Sequence, residues 1–246
     1  MTAYKKQKEE AEMQKENRIF LTKEQKISYA LLIAAAIMIT WTGIVWKQQV
    51  FRIIPLYVSL FVGMLQSRAN RYACLIGGVN SLIYTVVYFS LGLYAMALQA
   101  LLISCPFQLF TFVRWHKNAY KHSTKFRQLN GKQGLLLVAL YVFSFLVLYW
   151  VMSQAGSSYR MLDNALTLLG IFVSILTLLS FREYTWLMLG SGICSIVLDV
   201  TMMQEHPGQI TYLVFSVYSM ICMIRQFISV KNLYKEQKKA ALSTNL

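Results

Sequence analysis

Charged side chains are scarce in this sequence, and acidic ones are the scarcest. Of the 246 residues, 14% are charged, 57% are hydrophobic and only 10 are Asp or Glu. A soluble domain of this size carries about 25% charged residues, so the composition excludes that class. The mean hydropathy of +0.47 indicates an integral membrane protein.

The sequence also lacks the motifs of hydrolases and nucleotide-driven pumps. GxxxxGK[ST], HExxH and GxSxG are all absent, and no paired inward carboxylates are predicted. The four cysteines lie within apolar stretches and show neither a CxxC pair nor metal-ligand spacing. We therefore expect no enzymatic activity, no metal site and no bound cofactor.

Apolar stretches long enough to cross a bilayer recur along the chain. A spanning helix needs about 20 largely apolar residues. We predict eight spans, with a cytoplasmic segment at 1–27 before them and a cytoplasmic tail at 231–246 after them. The transmembrane domain at 28–230 then contains helices at about 28–47, 53–67, 72–91, 95–115, 134–154, 162–180, 184–203 and 209–229.

The basic residues sort to one side of this eight-span arrangement. Of the 24 lysines and arginines, only Lys47, Arg52 and Arg160 fall on the other side. Basic loops stay in the cytoplasm, so both termini are predicted to be cytoplasmic. The same sorting explains the net charge of +14 without a nucleic-acid partner. The loop RWHKNAYKH at 114–122 is predicted to be solvated and to face lipid headgroups.

The chain resembles itself at a spacing of about 112 residues. This shift lays Gly78 beside Gly190 and Ser104 beside Ser216. The layout predicts two parallel triplets of helices, at about 53–115 and 162–229, joined by a linker helix at about 134–154. Parallel repeats of this kind occur in transporters, which hold the substrate between the halves near the membrane midplane.

Polar side chains at membrane depth mark a candidate binding site. Asn80, Tyr84 and Tyr88 are spaced by four residues, so they share one face of a helix. Gln108 reaches a similar depth on the next span. Such groups cost free energy in hydrocarbon unless they are paired, so they predict a site. The alternative is that the two carboxamides hydrogen-bond between helices, at about 0.6–2 kcal/mol each.

The second triplet carries a similar polar face. Ser191, Ser195 and Asp199 are again spaced by four, and Trp186 lies near one end of their helix. Trp186 suits the interfacial aromatic belt equally well. Asp199 is either a hydrated residue at the mouth of the cavity or a proton-coupling group.

The final span and the glycines complete the candidate residues. Tyr212, Ser216 and Ser219 share a face of that span, with Tyr218 nearby, and these residues are predicted to line the same cavity. Small residues let membrane helices approach closely, and this is our interpretation of four glycines: Gly77, Gly78, Gly190 and Gly192.

Several segments resemble the PnuC family of bacterial vitamin transporters. They are Gly92-Leu93-Tyr94, the run that continues to Gln108 and Arg114-Trp115, and the stretch from Tyr212 to Arg225. The resemblance covers most of residues 50–235. It implies a SWEET-like three-plus-one-plus-three core, a homotrimer in the bacterial cell membrane, and facilitated diffusion of nicotinamide riboside. A cytosolic kinase would then phosphorylate the cargo. Relatives that carry thiamine or riboflavin provide the alternatives.

The seventh span departs from the family pattern. Asn80, Tyr84 and Gln108 resemble the polar and aromatic positions of the family. Members that take nicotinamide riboside resemble one another in a Trp-x-x-Trp pair followed by Asn, whereas this span has only Trp186. The predicted cavity lacks a deep cation for a phosphate. We therefore expect a neutral or singly positive vitamin or nucleoside, with a membrane scaffold as the alternative from another class.

Overall fold

The computed structural model describes residues 25–155 and 159–244, and this part of the chain is helical apart from one short hairpin. Most of the predicted segment 1–27 lies outside the described residues. The helices are α1 (Gln25–Val45), α2 (Val50–Gln66), α3 (Tyr72–Ser90), α4 (Tyr94–Lys117), α5 (Gly131–Ala155), α6 (Arg160–Leu178), α7 (Tyr184–Glu205) and α8 (Ile210–Thr244).

Seven of these helices are long and apolar enough to cross a membrane, and α2 is an apolar helix of 17 residues. Each helix coincides with a predicted span, and most ends agree within a few residues. α2 begins before Pro55, which lies inside the helix. The Pro55 carbonyl oxygen accepts a hydrogen bond from Asn80 Nδ2 at 3.1 Å. This hydrogen bond joins α3 to α2 at the position of the proline.

The predicted cytoplasmic tail at 231–246 is helical in its described part, because α8 continues to Thr244. Residues 231–244 are rich in Lys, Glu, Gln, Ala and Leu, which are strong helix formers. Leu233 is buried against the loop that follows α4. Hydropathy falls in this segment, so a prediction of spans from hydropathy gives no sign that the helix continues.

Six helices pack as a closed ring in the order α2, α3, α4, α6, α7 and α8, and α8 returns to α2. Outside the ring, α5 packs on α6, and α1 contributes Ala35 and Ile39 to a core shared with Leu56 of α2 and Cys222 of α8. α5 is apolar on all sides and its side chains are largely exposed, as expected for a helix that faces lipid.

Two joints connect the halves α2–α4 and α6–α8. At the joint between α4 and α6, the fully buried Asp163 accepts hydrogen bonds from the backbone N–H groups of Ala95 at 3.3 Å and Met96 at 3.1 Å. At the joint between α8 and α2, Tyr218 donates its hydroxyl to the Leu60 carbonyl oxygen at 2.9 Å. Each joint therefore depends on a side chain of one half that satisfies backbone groups of the other.

A central loop at residues 118–130 covers one end of the ring. We call this the loop end and the opposite one the far end. The loop contains a hairpin of β1 (Ala119–Tyr120) and β2 (Ser123–Thr124). Within the predicted solvated loop at 114–122, His116 is exposed but lies on the last turn of α4, and solvation is wrong for Trp115, which is 2% exposed. The next loop residues, Ser123, Thr124 and Phe126, are buried as well, because α8 extends far enough to cover them.

The central loop is hydrogen-bonded to the connection that follows the first helix of each half. The N–H of Arg71, after α2, donates to the His122 carbonyl oxygen at 3.3 Å. The N–H of Arg127 donates to the Ser180 carbonyl oxygen at 2.8 Å, and the N–H of Arg182 donates to the Arg127 carbonyl oxygen at 3.0 Å. One segment thus connects the ends of α2 and α6 at the loop end.

The two turns also share a backbone conformation. Ala69, after α2, has a φ of 50°, and Ser180, after α6, has a φ of 63°. Residues with a side chain seldom adopt this left-handed conformation. Both halves therefore reverse direction at the loop end in the same unusual way.

Three of the four glycines lie where another element approaches closely. A Cβ atom at Gly78 would lie 3.3 Å from the Cys105 carbonyl oxygen, one at Gly192 would lie 2.8 Å from Met220 Sδ, and one at Gly77 would clash with the Gln108 side chain. The interpretation as helix-packing residues is confirmed for these three. It is wrong for Gly190, beside which a Cβ atom would meet open space.

The glycines give a matched test of the packing. We expect Gly78→Leu to lower the free energy of unfolding by about 2 kcal/mol or more, because the Cys105 backbone cannot move aside. Gly190→Leu is expected to change it by less than about 1 kcal/mol, since it enters open space and improves helix propensity. Thermal unfolding in detergent measures both, and equal destabilisation by the two variants would contradict the packing described.

Candidate functional site

A cavity of about 160 Å³ lies between the two halves, toward the far end. All of α2, α3, α7 and α8 contribute to its wall. Its polar and aromatic lining consists of Ser59, Tyr84, Tyr88, Ser195, Asp199, Gln209, Tyr212 and Ser216. We call it the far cavity. Polar groups gathered inside a membrane ring are the usual mark of a ligand site or pathway.

Asp199 is the charged group of this cavity, and it is only 6% exposed. Its carboxylate accepts a hydrogen bond from Gln209 Nε2 at 3.1 Å and another from the Ser216 hydroxyl. Both partners are neutral, and the described residues place no Lys or Arg in the cavity wall. The site therefore holds a buried negative charge without a cationic partner in its lining, rather than a hydrated residue at the mouth.

A chain of hydrogen bonds leads from Asn80 into the far cavity. Asn80 Nδ2 donates to Ser59 Oγ at 2.8 Å, and Ser59 donates to the Tyr84 hydroxyl at 3.0 Å. The Tyr84 ring stacks on Tyr88, with 5.3 Å between their centroids. Asn80 itself is buried outside the lining and acts on the cavity by holding Ser59 and Tyr84 in place.

The far cavity adjoins a wider opening of about 450 Å³ at the far end. The two share Leu91 and Gln209 in their walls. Arg52 lines the opening, and its carbonyl oxygen accepts a hydrogen bond from the Tyr212 hydroxyl at 3.2 Å. A solute entering from the far end would therefore reach Tyr212 and Gln209 before Asp199.

A second, smaller cavity of about 80 Å³ lies toward the loop end of the same helices, and we call it the loop-side cavity. Gln108 lines it, together with Trp115, Tyr184 and Gln226. On α7 its residues lie about three or four helical turns from Asp199. Gln108 Nε2 lies 3.4 Å from Ser81 Oγ, so Gln108 packs beside the residue that follows Asn80.

Aromatic side chains close the ring at the loop end, next to the loop-side cavity. Trp115 meets Phe126 edge to face at 5.7 Å between centroids, and Phe126 stacks on Tyr184 at 6.4 Å. Trp115 Nε1 donates to the Thr177 carbonyl oxygen at 3.0 Å, and Gln226 Nε2 donates to the Tyr184 hydroxyl at 2.9 Å. The structure is thus open toward the far end and closed at the loop end.

The structure brings together only part of the predicted site. Tyr84, Tyr88, Ser195, Asp199 and Tyr212 line the far cavity, whereas Gln108 lines the loop-side cavity. The four remaining residues line neither cavity. Asn80 is buried and hydrogen-bonded to Ser59, and Trp186 is 62% exposed beside Phe227. Ser191 donates to the Met188 carbonyl oxygen, and Tyr218 donates to the Leu60 carbonyl oxygen.

Several lining residues escaped the sequence analysis, and four of them show why. Ser59 lies on the helix that contains Pro55, where the polar pattern is interrupted, and Gln209 lies in the single turn Pro207–Gln209 between α7 and α8. Tyr184 and Gln226 lie near helix ends, where aromatic and polar residues are usual for other reasons. Helical periodicity gives no signal at such positions. Among the described residues, no group of three or more His, Cys, Asp or Glu side chains could hold a metal ion.

A ring of apolar helices around a polar cavity that opens at one end defines a multi-pass membrane transport protein. Comparison with known proteins refines this class. A sequence profile of the family described as nicotinamide mononucleotide transporter matches residues 49–228. The chain therefore belongs to this family, and the resemblance to PnuC expected from the sequence is confirmed.

Two relatives carry the PnuC name. The nicotinamide riboside transporter PnuC of Neisseria mucosa is 26% identical over 144 residues, which is 56% of this chain and 53% of that protein. The aligned part thus spans about half the length of the relative. A crystal structure of the vitamin B3 transporter PnuC matches with a TM-score of 0.73 at 19% identity, over 85% of this chain and 92% of that one, which shows a shared fold.

Thiol labelling tests which polar face lines the far cavity. In a variant whose four native cysteines are replaced by Ala, we expect Ser195→Cys to react with a small, water-soluble thiol reagent, because water in the cavity allows the thiolate to form. Ser191→Cys is the matched control, one turn away and outside the cavity, and should react at least about tenfold more slowly. Faster reaction at position 191 would contradict the helix orientation described.

Proposed function

We propose that this protein carries nicotinamide riboside across the bacterial cell membrane by facilitated diffusion. The observation that carries the proposal is the buried Asp199 carboxylate in a cavity lined by Tyr84, Tyr88 and Tyr212. Nicotinamide riboside has a positively charged pyridinium ring and ribose hydroxyls. Aromatic faces attract cations, and a buried carboxylate favours a cationic partner.

The family description and the name of the relative state different cargoes. The chemistry of the far cavity favours the riboside. The family description names the mononucleotide, whereas the Neisseria relative is named for the riboside. A phosphate group brought near Asp199 would be repelled, and the described lining of the far cavity offers no Lys or Arg to pair with it. Phosphorylated cargo should therefore be excluded.

Thiamine is the second candidate from the same family. Its thiazolium ring is also positively charged, so Asp199 suits it for the same reason, and the α7 helix carries only one of the two family tryptophans. Riboflavin is the third. It is uncharged, so the buried Asp199 carboxylate gives it no electrostatic advantage. A scaffold without transport activity would not need this buried polar lining.

We also propose the architecture behind this function: eight spans, in which α2–α4 and α6–α8 form a SWEET-like parallel repeat, α5 is the linker and α1 is the extra helix. The left-handed turns at Ala69 and Ser180 support the repeat, because both halves bend in the same way at the same end. Rocking of the two halves about the cavities would give alternating access.

Transport would then proceed in three stages. Cargo enters the far cavity, the far end closes, and the aromatic layer of Trp115, Phe126 and Tyr184 separates to release it through the loop-side cavity. A cytosolic kinase that phosphorylates the cargo would make entry one-way. By family resemblance we propose a homotrimer surrounded by membrane lipid.

Both termini and the loop end are proposed to be cytoplasmic, because the basic residues collect on that side. Tags placed at Thr2 and Leu246 should be inaccessible to an impermeant reagent in intact cells and accessible after permeabilisation. A tag in the far-end connection at residues 46–49 is the matched positive control. Labelling of either terminal tag from outside would contradict the orientation.

Proteoliposomes provide the direct test of transport. We expect uptake of labelled nicotinamide riboside down its gradient, with weaker uptake of thiamine and little of riboflavin. Asp199→Asn keeps the shape of the side chain and removes its charge, so it should lower riboside uptake by about tenfold or more, equivalent to about 1.4 kcal/mol. Glu205→Gln removes a charge outside the cavity and is the matched control.

The same assay includes the outcomes that would overturn the proposal. Accumulation driven by a proton gradient would refute facilitated diffusion and assign Asp199 to proton coupling. No uptake of any of the three vitamins would refute the function. Equal losses in Asp199→Asn and Glu205→Gln would remove Asp199 from cargo recognition.

A further inference from the structure

Basic side chains converge on a pocket of about 400 Å³ at the loop end, outside both cavities described above. The turn after α2 contributes Arg68, the central loop contributes Lys121 and His122, and α8 contributes Arg225. None of these residues lines the far cavity or the loop-side cavity. The proposed transport pathway therefore leaves this pocket unexplained.

The charge of the pocket is positive. Glu236 is the acidic residue in its described lining, and its carboxylate lies 2.7 Å from Lys121 Nζ. This hydrogen bond raises the pKa of Lys121 above its ordinary value, so Lys121 stays positively charged. Glu236 offsets the charge of Lys121, and no salt bridge to Arg68 is formed within the described residues.

Arg68 has a donor without a partner in the pocket. Its Nη2 atom is buried and makes no hydrogen bond within the described residues. The His122 ring is fixed beside it, because His122 Nε2 is hydrogen-bonded to the Arg68 carbonyl oxygen at 2.8 Å. A buried guanidinium N–H without an acceptor costs free energy, and an anionic oxygen would recover it.

We propose that this pocket binds a phosphate group. Arginine guanidinium groups match the geometry of phosphate oxygens, and charge-assisted hydrogen bonds of this kind are the strong ones. The Arg225 guanidinium is oriented by a 2.9 Å hydrogen bond to Ser28 Oγ, and Lys121 supplies a further cation at the rim. The phosphate could belong to a soluble phosphate ester or to a lipid headgroup, since the pocket lies where the helices leave the membrane.

A ligand in this pocket would connect the two halves of the ring at the loop end. Its wall joins the turn after α2, the central loop and α8, so a bound phosphate would contact both halves of the ring at the loop end. A ligand stabilises the arrangement to which it binds. Occupancy therefore favours the state in which the loop end is closed.

Binding can be measured on the purified full-length protein in a non-ionic detergent. Titration with inorganic phosphate, against chloride at matched ionic strength, should show saturable binding to the wild type. Arg68→Gln should weaken it by about tenfold or more, because a charge-assisted hydrogen bond is lost. Lys117→Gln, which removes a nearby charge outside the pocket, should leave it unchanged. Lys121→Gln replaces Arg68→Gln if the latter fails to fold.

A second arm separates the lipid from the soluble source. The protein is extracted from vesicles that contain phosphatidylcholine with or without phosphatidic acid, and the retained lipid is quantified. Retention of phosphatidic acid that depends on Arg68, without binding of inorganic phosphate, assigns the site to a headgroup. The reverse assigns it to a soluble ester. Absence of binding in both arms, or equal binding by wild type and Arg68→Gln, overturns the proposal. Neither arm requires transport, so failure of the uptake assay would leave this result intact.

Discussion

The hydrocarbon core of a membrane offers no water, so each buried polar group must find its partner within the protein. In this ring the partners come from across the joints between helices. Asp163 satisfies the first N–H groups of α4, Tyr218 satisfies a carbonyl oxygen of α2, and Trp115 satisfies one at the end of α6. These contacts are directional, and they fix how the halves face each other more narrowly than apolar packing alone could.

The far cavity is built on the same constraint, with one difference. Asn80 Nδ2 donates to Ser59 and Ser59 donates to Tyr84, so neutral polar groups in this part of the wall bond to one another. Asp199 has hydrogen-bond donors but no cation in the described lining of its cavity. Neutral hydrogen-bond donors stabilise its charge and do not neutralise it. A site of this kind binds a cationic solute more favourably than a neutral one. This difference is the physical basis for our choice among the candidate cargoes of the family.

The fold could be predicted from the sequence because it depends on the length and hydropathy of segments. The rotation of each helix about its own axis could not be predicted. For this reason the observed cavity lining differs from the predicted site. Trp186 and Ser191 lie on the same helix as Ser195 and Asp199, yet only the latter two line the cavity. α7 is apolar on most sides, so its sequence does not specify which face turns inward. Ser59 and Gln209 come from a proline-containing helix and a single turn, where no periodicity exists.

The central loop shows what hydropathy leaves out. Its polar sequence predicts solvent exposure, but Trp115 and Phe126 enter a core that only the continuation of α8 completes. Gln237 of that continuation donates to the Thr124 carbonyl oxygen and accepts from the Phe126 N–H. Such contacts join segments that are more than a hundred residues apart, so no local pattern reports them.

The hydrogen bonds of this loop also bear on how the protein can be labelled or divided. The loop is the longest described connection, it is polar, and it separates the two halves, so an engineer would choose it for a fluorescent reporter or for expression as two fragments. Its backbone is bonded to the turns at Arg71 and Ser180. An insertion there would loosen the loop-end attachment of both halves at once, and two fragments cut there would each lack the contact that holds them in register.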